Sequence, residues 1–101
     1  MAATKENLVK AKVKEILKDL GAWYCMPMGT GYGHSGIPDF IVCLDGFFVA
    51  IETKAGKGTT TALQERELRK IGEAKGIALV VREDDLGTLG RDLKMLVRGK
   101  G

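Results

Sequence analysis

At 101 residues, 45% of them hydrophobic, the chain is long enough to bury one core, and residues 1–101 are expected to form a single small domain. Sixteen Lys and Arg against thirteen Asp and Glu leave a net charge of +3, which favours a polyanionic partner only mildly because solvated helix faces use many of these charges. No apolar run reaches the roughly 18–20 residues of a membrane span, no signal-peptide core opens the chain, and Cys25 and Cys43 lack metal-ligand spacing, so an intracellular protein with two buried free thiols is expected.

From Thr4, a natural N-cap, the apolar positions Val9, Val13, Ile16, Leu17 and Leu20 keep helical spacing, and Gly21 follows as a left-handed stop. Ala22–Met26 has the aromatic and β-prone character of a first strand. The stretch Met28–Gly36 carries four glycines and reads as a loop. Phe40–Leu44 and Phe47–Ile51 are apolar runs joined by Asp45-Gly46, a dipeptide suited to the positive φ angles of a type I′ hairpin turn. After a second loop at Ala55–Thr60, Thr61 and Gln64 form a T-x-x-Q capping box at the head of a helix whose apolar face is Leu63, Leu68, Ile71 and Ala74; Gly76 is expected to end it. Ile77–Val81 is a short apolar strand, reached from the third strand by a crossover and so parallel to it. Leu86, Leu89, Leu93 and Leu96 mark a last helix. The order is αβββαβα, an α/β chain with a mixed sheet and helices against it.

The hairpin fixes a register. With Leu44 and Phe47 flanking the turn, Asp39 lies across from Glu52, with Cβ atoms roughly 4.5–5.5 Å apart, and Lys54 follows Glu52 on the same face. Two carboxylates so placed repel unless a shared proton, a basic side chain or a divalent cation compensates, and hard oxygen ligands favour Mg²⁺ or Mn²⁺. The bland reading is a strand boundary at Pro38-Asp39 and an ordinary same-face ion pair between Glu52 and Lys54. Against it, Phe40, Val42, Leu44, Phe47, Val49 and Ile51 would line one face of the hairpin and Ile41, Cys43, Phe48 and Ala50 the other, so the hairpin is expected to be buried on both faces, where charges at its open end need a reason.

Two more polar residues fall on apolar stripes. At about 100° per residue, Glu6 lies within ~20° of Val13 on the helical wheel, and Gln64 stands in the same relation to Ile71. A first-turn carboxylate favoured by the helix dipole and a capping glutamine are sufficient local reasons for each. A site shared with Asp39 and Glu52 explains both at once.

The set Glu6, Gly36-Ile37-Pro38-Asp39, Glu52-Thr53-Lys54 and Gln64 resembles the PD-(D/E)xK nuclease superfamily, in particular its virus-type replication-repair nuclease (VRR-NUC) domains. The resemblance runs from the first helix to Val81, and implies a restriction-endonuclease-like αβββαβ core, its mixed central sheet flanked by helices, followed here by a C-terminal helix. It also implies a Mg²⁺- or Mn²⁺-dependent deoxyribonuclease, and stand-alone phage or bacterial members look like homodimers that act on branched DNA such as four-way junctions. Carried over by position, Asp39 and Glu52 would be metal ligands with the backbone carbonyl of Thr53 as a third. Lys54 would be the catalytic lysine, Glu6 the first-helix acid and Gln64 the polar residue closing the site. The compartment would be the cytoplasm of a bacterium or of a phage-infected cell.

In such a site the ion would acidify water and bind the scissile phosphate, Lys54 would position that water or stabilise the transition state, and Gln64 would orient the water or Lys54. Lys10, Lys14 and Lys18 form a basic stripe on the first helix, and Lys10, Lys14, His34 and Lys57 are candidate DNA contacts. A solvated helix face and a solvated loop histidine are the ordinary readings of the same residues. Two other classes compete with the enzyme: a nucleic-acid-binding module that keeps the fold without activity, and an interaction protein whose acid pair is structural. A second copy would meet the last helix (Leu86, Leu89, Leu93, Met95, Leu96) and the region of Trp23, Tyr24 and Met26–Met28, whose apolar side chains exceed the needs of one small core; Leu89 and Leu93 serve equally well as cover for the sheet.

Overall fold

The computed structural model describes residues 4–28 and 35–100. Helix α1 spans Lys5–Asp19 and starts where the Thr4 hydroxyl accepts a hydrogen bond from the Asn7 N–H at 3.1 Å. Strands β1 (Trp23–Cys25), β2 (Phe40–Leu44) and β3 (Phe47–Thr53) follow, then α2 (Ala62–Glu73), β4 (Ile77–Val81), a short 3-10 helix at Glu83–Asp85 and α3 (Leu89–Lys100). The strands lie in the order β1-β2-β3-β4; β1, β2 and β3 pair antiparallel and β4 runs parallel to β3, so the sheet is mixed.

The turn chemistry sets the register. Asp45 and Gly46 both have positive φ, 52° and 85°, as a type I′ turn requires, and the ladder runs from Leu44 opposite Phe47 to Phe40 opposite Ile51. The next positions along are Asp39 and Glu52. One face of the sheet is dry: Phe40, Val42, Leu44, Val49 and Ile51 pack with Val9, Val13 and Leu17 of α1 and with Leu89, Leu93 and Val97 of α3. Each such side chain contributes about 1.5–3 kcal/mol when fully buried. Leu89 and Leu93 are 3% and 0% exposed, so they cover the sheet and are not surface.

The other face corrects two expectations. The hairpin is not buried on both sides: Cys43 is exposed, Phe48 is 46% exposed, and beside them on β1 Trp23 is 62% exposed. Cys25 and Cys43 are exposed free thiols, not buried ones. The reason lies in how the helices are shared out. α1 and α3 both join the first face, and α2, the helix left for the second, packs chiefly on β4, away from β1 and β2.

Two glycines fix how α2 is mounted. The left-handed residue at its end is Lys75 (φ 77°), not Gly76. Gly76 is there for space, since a Cβ would lie 2.8 Å from Ile71 Cγ2 and 3.2 Å from Phe48 Cδ1. Gly36 has φ 81°, and a Cβ on it would stand 2.5 Å from the carbonyl carbon and oxygen of Leu63. The chain entering Pro38-Asp39 therefore rests directly on the first turn of α2, a contact closed to any side chain. Gly36→Ala should destabilise the fold by at least ~2 kcal/mol, through both the left-handed backbone and the clash; urea denaturation measures it, and an unchanged midpoint would contradict this packing.

Candidate active site

Past the end of the hairpin ladder, Asp39 is held by β3. The Thr53 N–H and the Thr53 hydroxyl both donate to Asp39 Oδ2, at 2.9 and 2.6 Å. Thr53 itself is fully buried. Its side-chain role had no signal in the sequence, where any residue between Glu and Lys fits the E-x-K spacing.

Glu52 sits beside this bracket, only 2% exposed. Its Oε2 takes the amide of Gln64, whose Nε2 donates at 3.2 Å, and the ammonium of Lys54, with Nζ at 3.4 Å. The orientation of Gln64 is locked from the other side. Its Oε1 accepts the Thr61 N–H at 2.9 Å, while its own N–H donates to the Thr61 hydroxyl at 3.2 Å, completing the capping box of α2. Gln64 thus holds Glu52 in place. Lys54 is kept in line by its own N–H, which donates to Val81 O at 3.0 Å and carries the β3–β4 pairing one residue further.

The second oxygen of Glu52, Oε1, is buried and has no hydrogen-bond partner among the described residues. A buried carboxylate oxygen left bare is costly in an ordinary protein interior. Burial, then the negative charge of Asp39, push the Glu52 carboxyl up from 4.5 to about 7, with Lys54 pulling the other way. From α1, Glu6 reaches the same space: it, Asp39 and Glu52 each offer an oxygen, and these atoms lie within 4.8 Å of one another. An oxygen-only set of three carboxylates suits a hard divalent cation such as Mg²⁺ or Mn²⁺.

The structure therefore brings Glu6, Asp39, Glu52, Thr53, Lys54 and Gln64 together. Lys10, one turn after Glu6 and expected from the sequence as a DNA contact on a basic stripe, comes to the same place, its Nζ 3.8 Å from Asp39 Oδ1. Lys14 and Lys57 are exposed and make no ion pair among the described residues, and His34 lies outside the described residues. The loop bearing Lys57 is braced, because the Gly56 N–H donates to both oxygens of Glu83 at 3.0 Å. The N–H of Glu83's own backbone, and then that of Gly56, hold the Glu83 carboxyl below its usual range.

The raised Glu52 carboxyl carries a pH signature. Between 4.5, where the unfolded chain loses this proton, and about 7, where the folded state does, folding takes up a proton, so metal-free stability declines as pH rises through that window. In EDTA, Glu52→Gln should gain stability over the native chain across this range, with the gap constant above it. Thermal melts of both proteins at a series of pH values measure the gap, and one that does not change with pH would contradict the assignment.

Solved structures place this geometry in a wider setting. A VRR_NUC domain superposes with a TM-score of 0.72 at 26% sequence identity, covering 95% of this chain and 97% of that one. Hjc, a Holliday junction resolvase from the archaeal hyperthermophile Archaeoglobus fulgidus, superposes with a TM-score of 0.51 at 21% identity over 73% of this chain and 65% of its own, a likeness of fold. No protein-family model and no curated protein matches the sequence. From α1 to α3, the chain has the fold of the VRR-NUC domain of the PD-(D/E)xK nucleases.

Proposed function

We propose that residues 1–101 are one nuclease domain, a divalent-metal-dependent deoxyribonuclease that cuts phosphodiester bonds within branched DNA such as four-way junctions. The observation that carries this reading is Glu52, buried with its Oε1 bare and its Oε2 on Lys54, in one cluster with the carboxylates of Glu6 and Asp39. Preference for branched DNA is supported by the shared fold with a Holliday junction resolvase. The setting proposed is the cytoplasm of a bacterium or of a phage-infected cell; no described helix is long and apolar enough to cross a membrane.

The residues that would hold the ion are Asp39 and Glu52, joined by the Thr53 carbonyl and faced by Glu6. When bound, a divalent cation supplies Lewis-acid neutralisation of phosphate charge and a more acidic water. The protein's own part is positioning and electrostatics. Thr53 anchors one oxygen of Asp39 and Gln64 anchors one oxygen of Glu52, so that the other oxygen of each is left for the ion. The Lys54 ammonium, 13% exposed and held at Glu52, is placed to orient the attacking water and to stabilise charge growing on the non-bridging phosphate oxygens. The departing 3′ oxygen would take its proton from water. Lys14, and Lys57 on its braced loop, contribute phosphate contacts outside the centre.

Cleavage of supercoiled plasmid and of a four-way junction should require Mg²⁺ or Mn²⁺ and stop in EDTA. Asp39→Asn should abolish it with the fold retained, and Lys54→Ala should lower single-turnover rates by at least ~100-fold while DNA affinity changes little. Full activity of the Asn variant, or a loss at Lys54 confined to affinity, would contradict the roles assigned.

Cutting two strands of a junction calls for two sites, and a twofold pair of chains provides them. A homodimer is supported by the apolar edge of the molecule, where Val80 of edge strand β4 and Met95 and Leu96 of α3 are 37%, 61% and 40% exposed around a groove of about 400 Å³. Light scattering should give about twice the chain mass of 10.9 kDa, and Leu96→Glu should return it to one chain. A native chain of single mass at micromolar concentration would refute the dimer.

A further inference from the structure

We propose that Lys10 is a second lysine of the reactive centre, which holds Asp39 Oδ1 in the free protein and passes to a DNA phosphate when ion and substrate bind. The proposal rests on the reading of this site as a nuclease and goes beyond it by assigning an exchange to one side chain.

Three observations carry it. First, each acid of the hairpin has one oxygen anchored by the protein's hydrogen-bond donors and one that accepts no hydrogen bond among the described residues. Asp39 Oδ2 is bracketed by Thr53 and Glu52 Oε2 by Gln64 and Lys54, whereas Glu52 Oε1 is bare and Asp39 Oδ1 has Lys10. Lys10 therefore occupies one of the two positions an ion would take. Second, the contact is loose. At 3.8 Å it is an ion pair without a short hydrogen bond, well outside the roughly 2.7–2.9 Å of charge-assisted bonds. Asp39 is already fixed by bonds of 2.6 and 2.9 Å, so Lys10 is not needed to orient it. Third, α1 turns this lysine inward: its side chain is 26% exposed, while Lys14 and Lys18 of the same stripe are exposed.

Charge gives the exchange its direction. With all three carboxylates (Glu6, Asp39, Glu52) ionised, the state that would hold a cation, the two lysines (Lys10, Lys54) leave one negative charge. One divalent cation turns that into one positive charge, which a single phosphodiester neutralises. A cation held by these carboxylates would repel the Lys10 ammonium from Oδ1, and a phosphate bound beside it would offer that ammonium a new partner. Without Lys10 the ion would meet less competition, and the phosphate would enter a centre lacking one counter-charge.

The test measures Mn²⁺ affinity by titration calorimetry without DNA, and cleavage at saturating Mn²⁺, for native protein, Lys10→Met, Lys10→Arg and, as an exposed control on the same helix, Lys12→Met. Lys10→Met should bind Mn²⁺ several-fold more tightly yet cleave at least ~10-fold more slowly, Lys10→Arg should restore cleavage in large part, and Lys12→Met should match the native protein in both. Unchanged affinity and rate in Lys10→Met would overturn the proposal, as would weaker Mn²⁺ binding together with slower cleavage, the result of a merely structural role. A native protein that binds Mn²⁺ but cuts no DNA would refute the nuclease reading, while the affinity comparison would still decide whether Lys10 stands in the ion's place.

Discussion

Two carboxylates at the open end of one hairpin are the constraint around which the rest of this molecule is arranged. The Asp45-Gly46 turn pins the register, the register sets Asp39 beside Glu52, and Glu52 is almost wholly removed from water. Burial, and then the negative charge of Asp39, raise the cost of ionising Glu52 there. The protein offsets part of that cost with named donors: two from Thr53 to Asp39, the amide of Gln64 and the ammonium of Lys54 to Glu52. It leaves one glutamate oxygen without any donor among the described residues. A fold selected for stability alone would fill that position with an apolar side chain or a hydrogen bond.

The helices serve the same end. The first two turns of α1 bring Glu6 and then Lys10 to the carboxylates, while its later turns bury Val13 and Leu17 in the core. The first turn of α2 supplies Gln64, and the capping box that starts this helix also fixes which end of the glutamine amide faces Glu52. Gly36 lets the chain ahead of Pro38-Asp39 rest on that same turn. One set of local rules thus both begins the helix and positions the site. The proposed chemistry asks little motion of these parts; Lys10, held at 3.8 Å on a flexible stem, is the member free to change partner.

Much of this was legible in the sequence because it rests on short-range rules. The Asp-Gly turn gave strand pairing to the residue, Thr4 and the Thr61/Gln64 box marked two helix starts within one residue, and the helical wheel singled out Glu6 and Gln64. What escaped depends on how elements are shared between the two faces of the sheet. Periodicity shows that a helix has an apolar side but not which side of the sheet it covers, so the exposure of Phe48, Cys25 and Cys43 was not legible. Nor was the left-handed Lys75, a residue type with no preference for that conformation. Within the site, Asp39, Glu52 and Lys54 followed from register. The Thr53 hydroxyl, the meeting of Lys10 with Asp39 and the bracing of Gly56 by Glu83 are contacts between residues whose types carry no distinctive signal.

The central claim, that the hairpin carboxylates form a divalent-cation site, is tested most directly by anomalous diffraction at the manganese edge from crystals equilibrated with Mn²⁺ above pH 7, where Glu52 is ionised. The account predicts an anomalous peak at ligand distance from Asp39 Oδ1 and Glu52 Oε1, with Lys54 still on Glu52. No peak at that position, with Lys10 and Lys54 both still paired to the two acids, would contradict it.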